Sequence, residues 1–533
     1  MTSKFPLAAS ALVLFLAATP YFLNAVATPK GQSFDGAVCL PYDRNVYVAL
    51  IEQGQRGVFL LTDPFTTEPH RTFLRPLWSL VGIASRPFGL SASGAYLVSS
   101  IVLAAAFLFA LWRFLGLLPL ARNTRRLAFL LVPLGSGVGW LLSPERIESL
   151  RRVYQIVAPD RMDVESSVFL SLLAYPQAAA TMGLLLALLA CVSTGRSIAA
   201  AVAALAIGFI HPHDLVTLAG ALGVWLALEW RAESDMRLTA NACLAPAIAA
   251  IIALAYHASG YASDAVYRET FGVATLSPHP FSYVIAFLPA LLLAPFGVSW
   301  ALQAGPLPRM LVAWAIAVPF LLYVPIPTQR RVIVGYAIPL YILAAAGLPH
   351  ALQAVRRFLP ALSPTNLWPR AATLFVCLAI PGNLAMLALL SQEPISSPAQ
   401  YRSDAATHDA LVWFAAHGGP RATLLGSFLT GNRAPGICGA RVVAGHSPGT
   451  LRLEEKLAAV RTFFDSMTPA ANRSEILARY SVTHVLFGPA EKNALDAPFG
   501  AARATYNPAD FPGAAIVFQK GGVSLVDVRG RGQ

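Results

Sequence analysis

Long runs of apolar residues, separated by short polar turns, fill the chain from Leu7 to Leu390. A helix needs about 20 consecutive apolar residues to cross a hydrocarbon core of about 30 Å. About eleven runs meet that requirement, so the pattern predicts an all-α membrane domain over residues 1–392 with about eleven transmembrane helices.

The first apolar run begins after Lys4 and continues to Ala27. Ala25-Val26-Ala27 has the small-residue pattern of a signal-peptide cleavage site, so a cleaved leader is one interpretation. The other interpretation is an uncleaved first span. We prefer the uncleaved span, because the later spans need a first one to set their orientation.

Basic residues in the turns indicate how the chain is oriented, because cytoplasmic loops carry an excess of Lys and Arg. If residues 1–4 are cytoplasmic, the basic turns at 122–126 and 356–370 fall on the same side. The loops at 28–92 and 143–168 then lie outside, and an odd number of spans places residues 393–533 outside as well. We therefore expect a protein of the bacterial inner membrane with a cytoplasmic N-terminus and an extracytoplasmic C-terminal domain.

One turn departs from this rule. Gln329-Arg330-Arg331 is basic, yet the topology places it outside. An anionic ligand would explain the two arginines, because guanidinium groups match the geometry of phosphate oxygens. Lipid headgroups are the alternative partner.

From about Ser396 the residues become those of a globular protein, and their order predicts a small α/β domain over residues 393–533. The predicted elements are helices at Asp404–His417, Leu453–Phe464 and Arg473–Tyr480, strands at Ala422–Ser427 and His484–Gly488, and a terminal hairpin at Ala514–Val528.

Composition agrees with a membrane protein and argues against nucleic-acid binding. The 533 residues are 56% hydrophobic and 12% charged, whereas globular chains carry about 25% charged residues. The net charge of +12 comes from basic residues in the short turns, so orientation explains it better than nucleic acid. The sequence has no Walker loop and no GxGxxG after a strand, which argues against a nucleotide-driven pump or a nucleotide-sugar enzyme.

Two of the five cysteines, Cys39 and Cys438, fall in polar segments. A disulfide between them stays open, because nothing in the sequence brings them together.

The first outer loop contains the strongest candidate for acid-base chemistry. Asp43 opens an amphipathic stretch with Tyr47, Leu50 and Ile51 on one face, which predicts a helix lying along the membrane. In one interpretation Asp43 only caps that helix. In the other it is a general base at the membrane surface. Tyr42, the preceding residue, is a candidate for substrate binding.

Several segments resemble bacterial GT-C glycosyltransferases, which are polytopic enzymes that take a sugar from a polyprenyl-phosphate carrier. The resemblance lies in the loop at 36–57, in Leu61–His70, in His211-Pro212-His213-Asp214, in Gln329-Arg330-Arg331, and in the outer C-terminal domain. It implies that Asp43 accepts the proton of the acceptor hydroxyl. Arg44 stands where relatives commonly have a Glu.

Other polar residues are candidates for binding substrate. Arg330 and Arg331 would hold the donor phosphate, since they lie on the same side as Asp43 and suit phosphate oxygens. The resemblance implies that Asp163 and Glu165 bind acceptor or metal, unless they belong to a solvated loop. Arg71 and His70 either line an acceptor cleft or solvate their loop, and Glu68 in the same loop is a further candidate for substrate binding. His211 and His213 are candidates for binding substrate or metal, although the turn also reads as a helix break. No cofactor is certain, and a divalent cation is one alternative.

The expected partners are a polyprenyl-phosphate-linked sugar, membrane lipid, and a glycan, lipid or protein acceptor. The leading hypothesis is an inverting transferase in which Asp43 and the two arginines meet across one lipid-accessible cavity. A transporter or flippase of a lipid-linked substrate, and a noncatalytic envelope protein, are the alternatives. The loop Gly445-His446-Ser447-Pro448-Gly449-Thr450 also resembles a loop of the relatives, and we expect recognition there rather than a second reaction.

Overall fold

The computed structural model describes residues 4–358, 364–419, 422–465, 467–493 and 514–531. The chain forms two compact units. The first contains residues 1–20, 100–257 and 274–390, and the second contains residues 21–99, 258–273 and 391–533. The predicted domain boundary between residues 392 and 393 stays a prediction, and part of the predicted basic turn at 356–370 lies outside the described residues.

The helices of the described residues are numbered along the chain. The first twelve are α1 Phe5–Val26, α2 Pro41–Gln55, α3 Pro76–Ser85, α4 Ala92–Leu117, α5 Arg122–Leu134, α6 Pro144–Tyr154, α7 Pro159–Met162, α8 Val168–Ala174, α9 Pro176–Ser193, α10 Ser197–Ile210, α11 Asp214–Arg231 and α12 Met236–Ser263. The others are α13 Ala265–Phe271, α14 Pro280–Gln303, α15 Pro306–Leu321, α16 Ala337–Phe358, α17 Pro364–Ala379, α18 Pro381–Ser396, α19 Pro398–Tyr401, α20 Ala405–His417, α21 Phe428–Cys438, α22 Leu453–Phe464, α23 Ala470–Arg479 and α24 Pro489–Asn493.

The polytopic membrane class predicted from the apolar runs is confirmed. Within the described residues, seven helical stretches are long and apolar enough to cross a membrane. Two further apolar helices, α10 and α15, are shorter. The seven are Phe5–Val26, Ala92–Leu117, Pro176–Ser193, Met236–Ser263, Pro280–Gln303, Gln329–Arg357 and Leu367–Ser396.

The end of α5 shows why some apolar runs give short helices. This helix stops at Leu134, and Gly135 continues in an extended conformation. A β-carbon on Gly135 would lie 2.4 Å from the Tyr341 ring, so only glycine fits this close packing. The amide of Asn383 donates hydrogen bonds to the carbonyl oxygens of Leu134 (2.9 Å) and Gly135 (3.0 Å). A side chain from far along the chain thus satisfies carbonyl groups that the helix leaves unpaired.

The second unit contains a five-stranded mixed sheet. Its strands are β5 Thr423–Leu425, β6 Arg441–Val442, β7 His484–Phe487, β8 Ala515–Lys520 and β9 Val523–Asp527, and the spatial order is β6-β5-β7-β9-β8. Strand β5 runs parallel to β6 and β7, and β9 runs antiparallel to β7 and β8. Two small antiparallel pairs complete the strands, β1 Gln32–Phe34 with β4 Arg402–Asp404 and β2 Leu60–Leu61 with β3 Phe73–Leu74.

The small α/β domain predicted from the sequence is confirmed. Helix α22 has the predicted bounds, and α20 begins directly after Asp404. Asp404 caps α20 because its carboxylate accepts the N–H groups of Ala406 (3.0 Å) and Thr407 (3.2 Å). The strand and hairpin predictions agree with β5, β7, β8 and β9 to within a few residues.

Helix α21 was not predicted, since Gly431, Pro435 and Gly436 interrupt its helical pattern. Tertiary packing stabilises it instead. A β-carbon on Gly436 would lie 2.8 Å from the Val48 side chain of α2. The Arg433 guanidinium also donates to the Asp35 carboxylate at 2.6 Å, and both side chains are buried.

Both Cys39 and Cys438 are free thiols, so the disulfide left open by the sequence is absent. The Cys438 thiol donates to the Ala434 carbonyl oxygen at 3.0 Å, as expected of a buried packing residue.

Candidate functional site

Asp43 lies in the first turn of α2. The residue that precedes this helix is Leu40, whose backbone is left-handed (φ 47°), and Pro41 occupies the first helical position. Asp43 is therefore not the N-cap residue, and capping does not account for it. Its side chain is 54% exposed, so it is accessible to a reacting group.

The Asp43 carboxylate contacts a histidine that sequence reasoning missed. The Nε2 atom of His446 lies 3.1 Å from Asp43 Oδ1, and the His446 side chain is only 7% exposed. His446 belongs to the loop 445–450, which the sequence assigned to recognition. No local pattern in the sequence indicates this contact, because 403 positions separate the two residues along the chain.

The loop 445–450 is held by its own hydrogen bonds. Thr450 Oγ1 accepts the N–H groups of Gly445 and His446, each at 3.2 Å, and donates to the Phe65 carbonyl oxygen at 2.8 Å. The N–H of Gly449 donates to His446 Nδ1 at 3.2 Å. Both nitrogens of the imidazole ring are therefore engaged, one by the loop and one by Asp43.

A single amide joins this loop to the start of α2. The Asn432 amide donates to the carbonyl oxygens of Gly445 (2.7 Å) and Tyr42 (3.2 Å). The Tyr42 ring packs edge-on against Phe428, with 5.5 Å between ring centroids. Tyr42 thus belongs to the framework beside Asp43, and its role in substrate binding stays a prediction.

Asp63 is a further buried carboxylate beside this loop. Its Oδ1 accepts the Phe65 N–H at 2.9 Å, and Thr270 Oγ1 donates to its Oδ2 at 3.3 Å. Burial raises the pKa of Asp63 above the usual range, and hydrogen bonding to Phe65 and the nearby His446 oppose that rise.

Glu68 and His70 form bonds within the second unit rather than solvating their loop. His70 Nε2 accepts the Asp63 N–H at 2.9 Å, and His70 Nδ1 donates to the Glu68 carbonyl oxygen at 2.9 Å. The Glu68 carboxylate pairs with Lys456 (2.5 Å) and Arg452 (2.9 Å). Burial alone would raise the pKa of Glu68, but hydrogen bonds from Lys456, Thr66 and Arg452 lower it to about 2. Substrate binding by either residue stays a prediction.

In the first unit, the structure brings together three of the residues predicted from two distant segments. Arg330 Nε lies 3.6 Å from Asp163 Oδ2 and 4.0 Å from Glu165 Oε2. The side chains of Asp163 and Glu165 are only 9% and 12% exposed, so the solvated-loop interpretation does not apply to them. Burial and the neighbouring Glu165 raise the pKa of Asp163 to about 7, although Arg330 opposes the rise.

Several polar atoms of this cluster do not form all the hydrogen bonds that they could form. Asp163 Oδ1 accepts the Glu165 N–H at 3.2 Å, while Asp163 Oδ2, Glu165 Oε2 and Arg330 Nε have no hydrogen-bond partner among the described residues. Distances of 3.6 and 4.0 Å are those of ion pairs without hydrogen bonds. The cluster therefore leaves hydrogen-bonding capacity unused on the guanidinium and on both carboxylates.

The turn that carries Arg330 and Arg331 is anchored at several points. The N–H of Arg330 donates to the Thr275 carbonyl oxygen at 3.0 Å, and Gln329 Oε1 accepts the Ser277 N–H at 3.2 Å. Thr217 of α11 donates to the Val332 carbonyl oxygen at 3.0 Å. Arg331 also acts on Asp163, because its charge helps to lower the pKa of that carboxyl.

The predicted helix break at residues 211–214 is present between α10 and α11. His211 Nδ1 donates to Asp214 Oδ1 at 2.9 Å, and both side chains are buried. His211 Nε2 has no hydrogen-bond partner among the described residues. The His213 ring lies 5.2 Å from the His211 ring, centroid to centroid. Ligand binding by His211 and His213 stays a prediction.

Asp163 and Glu165 are the acidic residues of this cluster that a divalent cation would use. Calcium takes six to eight oxygen ligands, whereas magnesium is commonly held by one or two carboxylates together with substrate phosphates and water. Both carboxylates already face the cationic Arg330. Within the described part of the chain, no three His, Cys, Asp or Glu side chains are grouped to hold a metal. The chemistry proposed below therefore includes no metal-dependent step.

Neither family models nor curated proteins match this chain. Solved structures do. ArnT from Cupriavidus metallidurans, bound to undecaprenyl phosphate, aligns with a TM-score of 0.53 and 11% identity over 99% of this chain and 98% of its own. The apo form of that ArnT aligns with a TM-score of 0.50 and 12% identity over 97% and 98% of the two chains. The arabinofuranosyltransferase AftD from Mycobacteria aligns with a TM-score of 0.49 and 17% identity over 99% of this chain and 42% of its own.

The architecture is thus that of a polytopic membrane protein with a small α/β domain. More specifically, it is the fold of the GT-C glycosyltransferases, as the resemblance in the sequence indicated. The predicted meeting of Asp43 with Arg330 and Arg331 stays a prediction.

Proposed function

We propose that this protein is an inverting membrane glycosyltransferase that moves a sugar from a polyprenyl phosphate to an acceptor on the extracytoplasmic face of the membrane. The GT-C fold supports the general class, and the ArnT structure with this fold is bound to undecaprenyl phosphate. The observation that carries the proposal is the Asp43 carboxylate, which is half exposed yet fixed at one oxygen by His446.

Asp43 acts as the general base. Its Oδ1 receives the hydrogen bond of His446, which leaves Oδ2 for the acceptor hydroxyl. The acceptor oxygen attacks the anomeric carbon as its proton passes to Asp43, and the bond between that carbon and the phosphate oxygen breaks. Attack from the face opposite the phosphate inverts the configuration at the anomeric carbon.

Arg330 and Arg331 bind the donor phosphate. The phosphate gains negative charge as the sugar leaves, and charge-assisted hydrogen bonds from a guanidinium stabilise that charge. In the absence of donor, Asp163 and Glu165 balance the charge of Arg330 without filling its hydrogen-bonding capacity. A phosphate therefore competes with two loosely placed carboxylates rather than with tight hydrogen bonds.

The predicted topology indicates on which side of the membrane the acceptor lies. With a cytoplasmic N-terminus, the loop at 28–92 and the C-terminal segment face the outside of the bacterial inner membrane. The acceptor is then a glycan, lipid or protein of that compartment. We also propose that the membrane domain ends at residue 392 and that the extracytoplasmic domain begins at residue 393.

The test uses purified full-length protein with polyprenyl-phosphate-linked pentoses and hexoses, and with glycan, lipid and protein fractions of the cell envelope as acceptors. Release of polyprenyl phosphate and sugar transfer are both measured. The Asp43→Asn variant should lose about 10²- to 10⁴-fold in kcat, as expected when a general base is removed. Asp409→Asn is the control, because Asp409 is a surface carboxylate of the same unit that pairs with Lys520.

Full activity of Asp43→Asn would exclude the proposed base. Movement of intact lipid-linked sugar across vesicles, without transfer in any fraction, would identify a flippase instead. Absence of both transfer and movement would favour the noncatalytic envelope protein.

A further inference from the structure

His446 contacts the proposed base, and the resemblance in the sequence indicated only recognition for its loop. We propose, on the basis of the proposed function, that His446 is a positioning residue. It holds Asp43 Oδ1 so that Asp43 Oδ2 points to the acceptor hydroxyl. The loop 445–450, far along the chain from α2, thereby completes the catalytic centre.

The hydrogen bonds of the imidazole ring assign its tautomer. Gly449 donates its backbone N–H to His446 Nδ1 at 3.2 Å, so Nδ1 is an acceptor and carries no proton. The proton of the neutral ring is then on Nε2, which donates to Asp43 Oδ1 at 3.1 Å. His446 is thus a donor to the carboxylate. It cannot take the reacting proton at Nε2, so that proton stays on Asp43.

The surroundings of His446 fix the ring in this orientation. A β-carbon on Gly449 would lie 3.1 Å from both His446 Nδ1 and Asp63 Oδ2, so glycine allows the backbone N–H to approach the ring. Phe65 packs against the imidazole with 5.6 Å between ring centroids. Thr450 holds the backbone N–H of His446 itself. These contacts therefore hold the imidazole ring in one orientation.

A purely stabilising role for the pair is the alternative. The Asp43 side chain is more than half exposed, and the contacts of an exposed carboxylate contribute little to stability. Orientation is a larger effect, because the terminal torsion of an aspartate is broad and an unrestrained carboxylate samples many angles. A misplacement of about 1 Å can lower a rate by about 10²-fold.

The experiment compares His446→Ala and His446→Gln with wild-type protein in the sugar-transfer assay. Removing the donor in His446→Ala should lower kcat by about 10- to 100-fold, with KM changed less than about threefold. A glutamine retains an N–H donor, so His446→Gln should restore most of the lost kcat. The control is His417→Ala, since His417 bonds to the Trp413 carbonyl oxygen of its own helix and stacks on the Trp413 ring in the same unit.

The pH profile separates positioning from proton transfer. The titratable groups that face His446 are Asp43 and Asp63. If His446 only positions Asp43, the rate of His446→Gln should keep the wild-type dependence on pH. A profile that loses or shifts its acidic limb in His446→Gln would show that His446 itself takes the proton of the acceptor hydroxyl, which would overturn the proposal.

A spectroscopic measurement tests the contact without an activity assay. In full-length protein labelled with 15N-histidine, the signals that disappear in His446→Ala identify His446. We expect the shifts of a neutral ring protonated at Nε2, and a change of the Nε2 signal in Asp43→Asn. A ring protonated at Nδ1, or one insensitive to Asp43→Asn, would contradict the proposed geometry.

These experiments distinguish a failure of the positioning role of His446 from a failure of the proposed glycosyltransferase function. If Asp43→Asn is inactive while His446→Ala keeps wild-type kcat, the positioning role fails and the glycosyltransferase proposal stands. If His446→Ala and His446→Gln lose activity equally and unfold at a lower temperature than His417→Ala, the residue is structural. If Asp43→Asn is fully active, the proposed base fails, whatever the His446 variants do.

Discussion

The surroundings of Asp43 and those of Arg330 differ in how their polar groups are satisfied. Around Asp43, His446 has both ring nitrogens bonded, and Thr450 ties the loop 445–450 to Phe65. Around Arg330, charged atoms lie 3.6 to 4.0 Å apart, and three of them have no hydrogen-bond partner among the described residues. The polar groups of the first region are hydrogen-bonded to one another, whereas those of the second region are charged and loosely paired.

This difference suggests a division of labour. A base must be held at a fixed angle to its substrate, which favours a network completed before the substrate binds. A phosphate site must exchange one set of partners for another, which favours charges that are balanced but not fully bonded. The predictions below test the rigidity of the first region and the exchange in the second.

The largest expected effect is on the stability of the first of these regions. Lys456 is fully buried and joins α22 to the loop at 61–70 through Glu68 and Thr66. In Lys456→Met the Glu68 carboxylate would lose a buried partner, and breaking a buried pair costs about 3–5 kcal/mol. We expect a clear fall in the unfolding temperature of the purified protein, together with reduced kcat.

Lys520→Met is the matched control, because Lys520 is 62% exposed and pairs with Asp409 at the surface. Its loss should cost less than about 1 kcal/mol. Equal unfolding temperatures for the two variants would mean that the buried pair does not stabilise this region.

Lowering the pH should also reduce the stability that Glu68 contributes. Since the folded-state pKa of Glu68 is lowered to about 2, its stabilisation is complete above its ordinary pKa of 4.5 and is lost as the pH falls towards 2.

The next effect concerns donor binding at Arg330. Arg330→Gln should raise KM for a polyprenyl-phosphate-linked sugar by about 10- to 100-fold, because a charge-assisted hydrogen bond to the phosphate is lost. The value of kcat should fall as well, because the same guanidinium stabilises the charge that develops on the phosphate as the sugar leaves. Arg152→Gln is the control, since Arg152 forms an exposed ion pair with Glu148 in the same unit. A KM equal to the wild-type value would remove Arg330 from the donor site.

A smaller effect should follow from the protonation of Asp163. The pKa of this carboxyl is raised to about 7, so Asp163 becomes neutral below that pH and Arg330 loses one of its two anionic partners. Donor affinity should then rise by about three- to tenfold between pH 8 and pH 6. The probe is a polyprenyl-phosphate sugar, because its phosphodiester keeps one charge throughout this range. The affinity of Asp163→Asn should not vary with pH.

The raised pKa of Asp163 also makes the stability of the protein depend on pH, in the opposite direction to the dependence expected from Glu68. The folded protein holds the Asp163 proton up to about pH 7, whereas the unfolded chain releases it near pH 4. The contribution of Asp163 to stability therefore falls as the pH rises from about 4 to 7. Thermal unfolding of Asp163→Asn should lack this component.

Local sequence patterns were enough to predict most of the architecture. The apolar runs predicted the membrane helices, and the order of elements predicted the small α/β domain, because period and composition act over neighbouring residues. Helix α21 was missed because its stability comes from packing on α2, at Gly436 and Val48, rather than from its own residues.

The candidate site was predicted less completely, for a related reason. The positive-inside rule pointed to Arg330, and the GT-C resemblance pointed to Asp43, Asp163 and Glu165. The structure pairs the last two of these carboxylates with Arg330. His446 was missed because its significance depends on a contact across 403 positions. Glu68 and His70 were predicted as substrate-binding residues of one loop, and only the fold shows that they bond to Lys456 and to the backbone.

The smallest expected effect is that of removing metal ions. Asp163 and Glu165 are the acidic pair that a cation would use, and Arg330 already faces both carboxylates. A guanidinium in that position repels a second cation, so the charge balance holds without one. Exhaustive chelation before the sugar-transfer assay should change kcat/KM by less than about twofold. A larger loss that Mg²⁺ or Mn²⁺ restores in wild-type protein, but not in Asp163→Asn, would instead place a cation between the carboxylates and the phosphate.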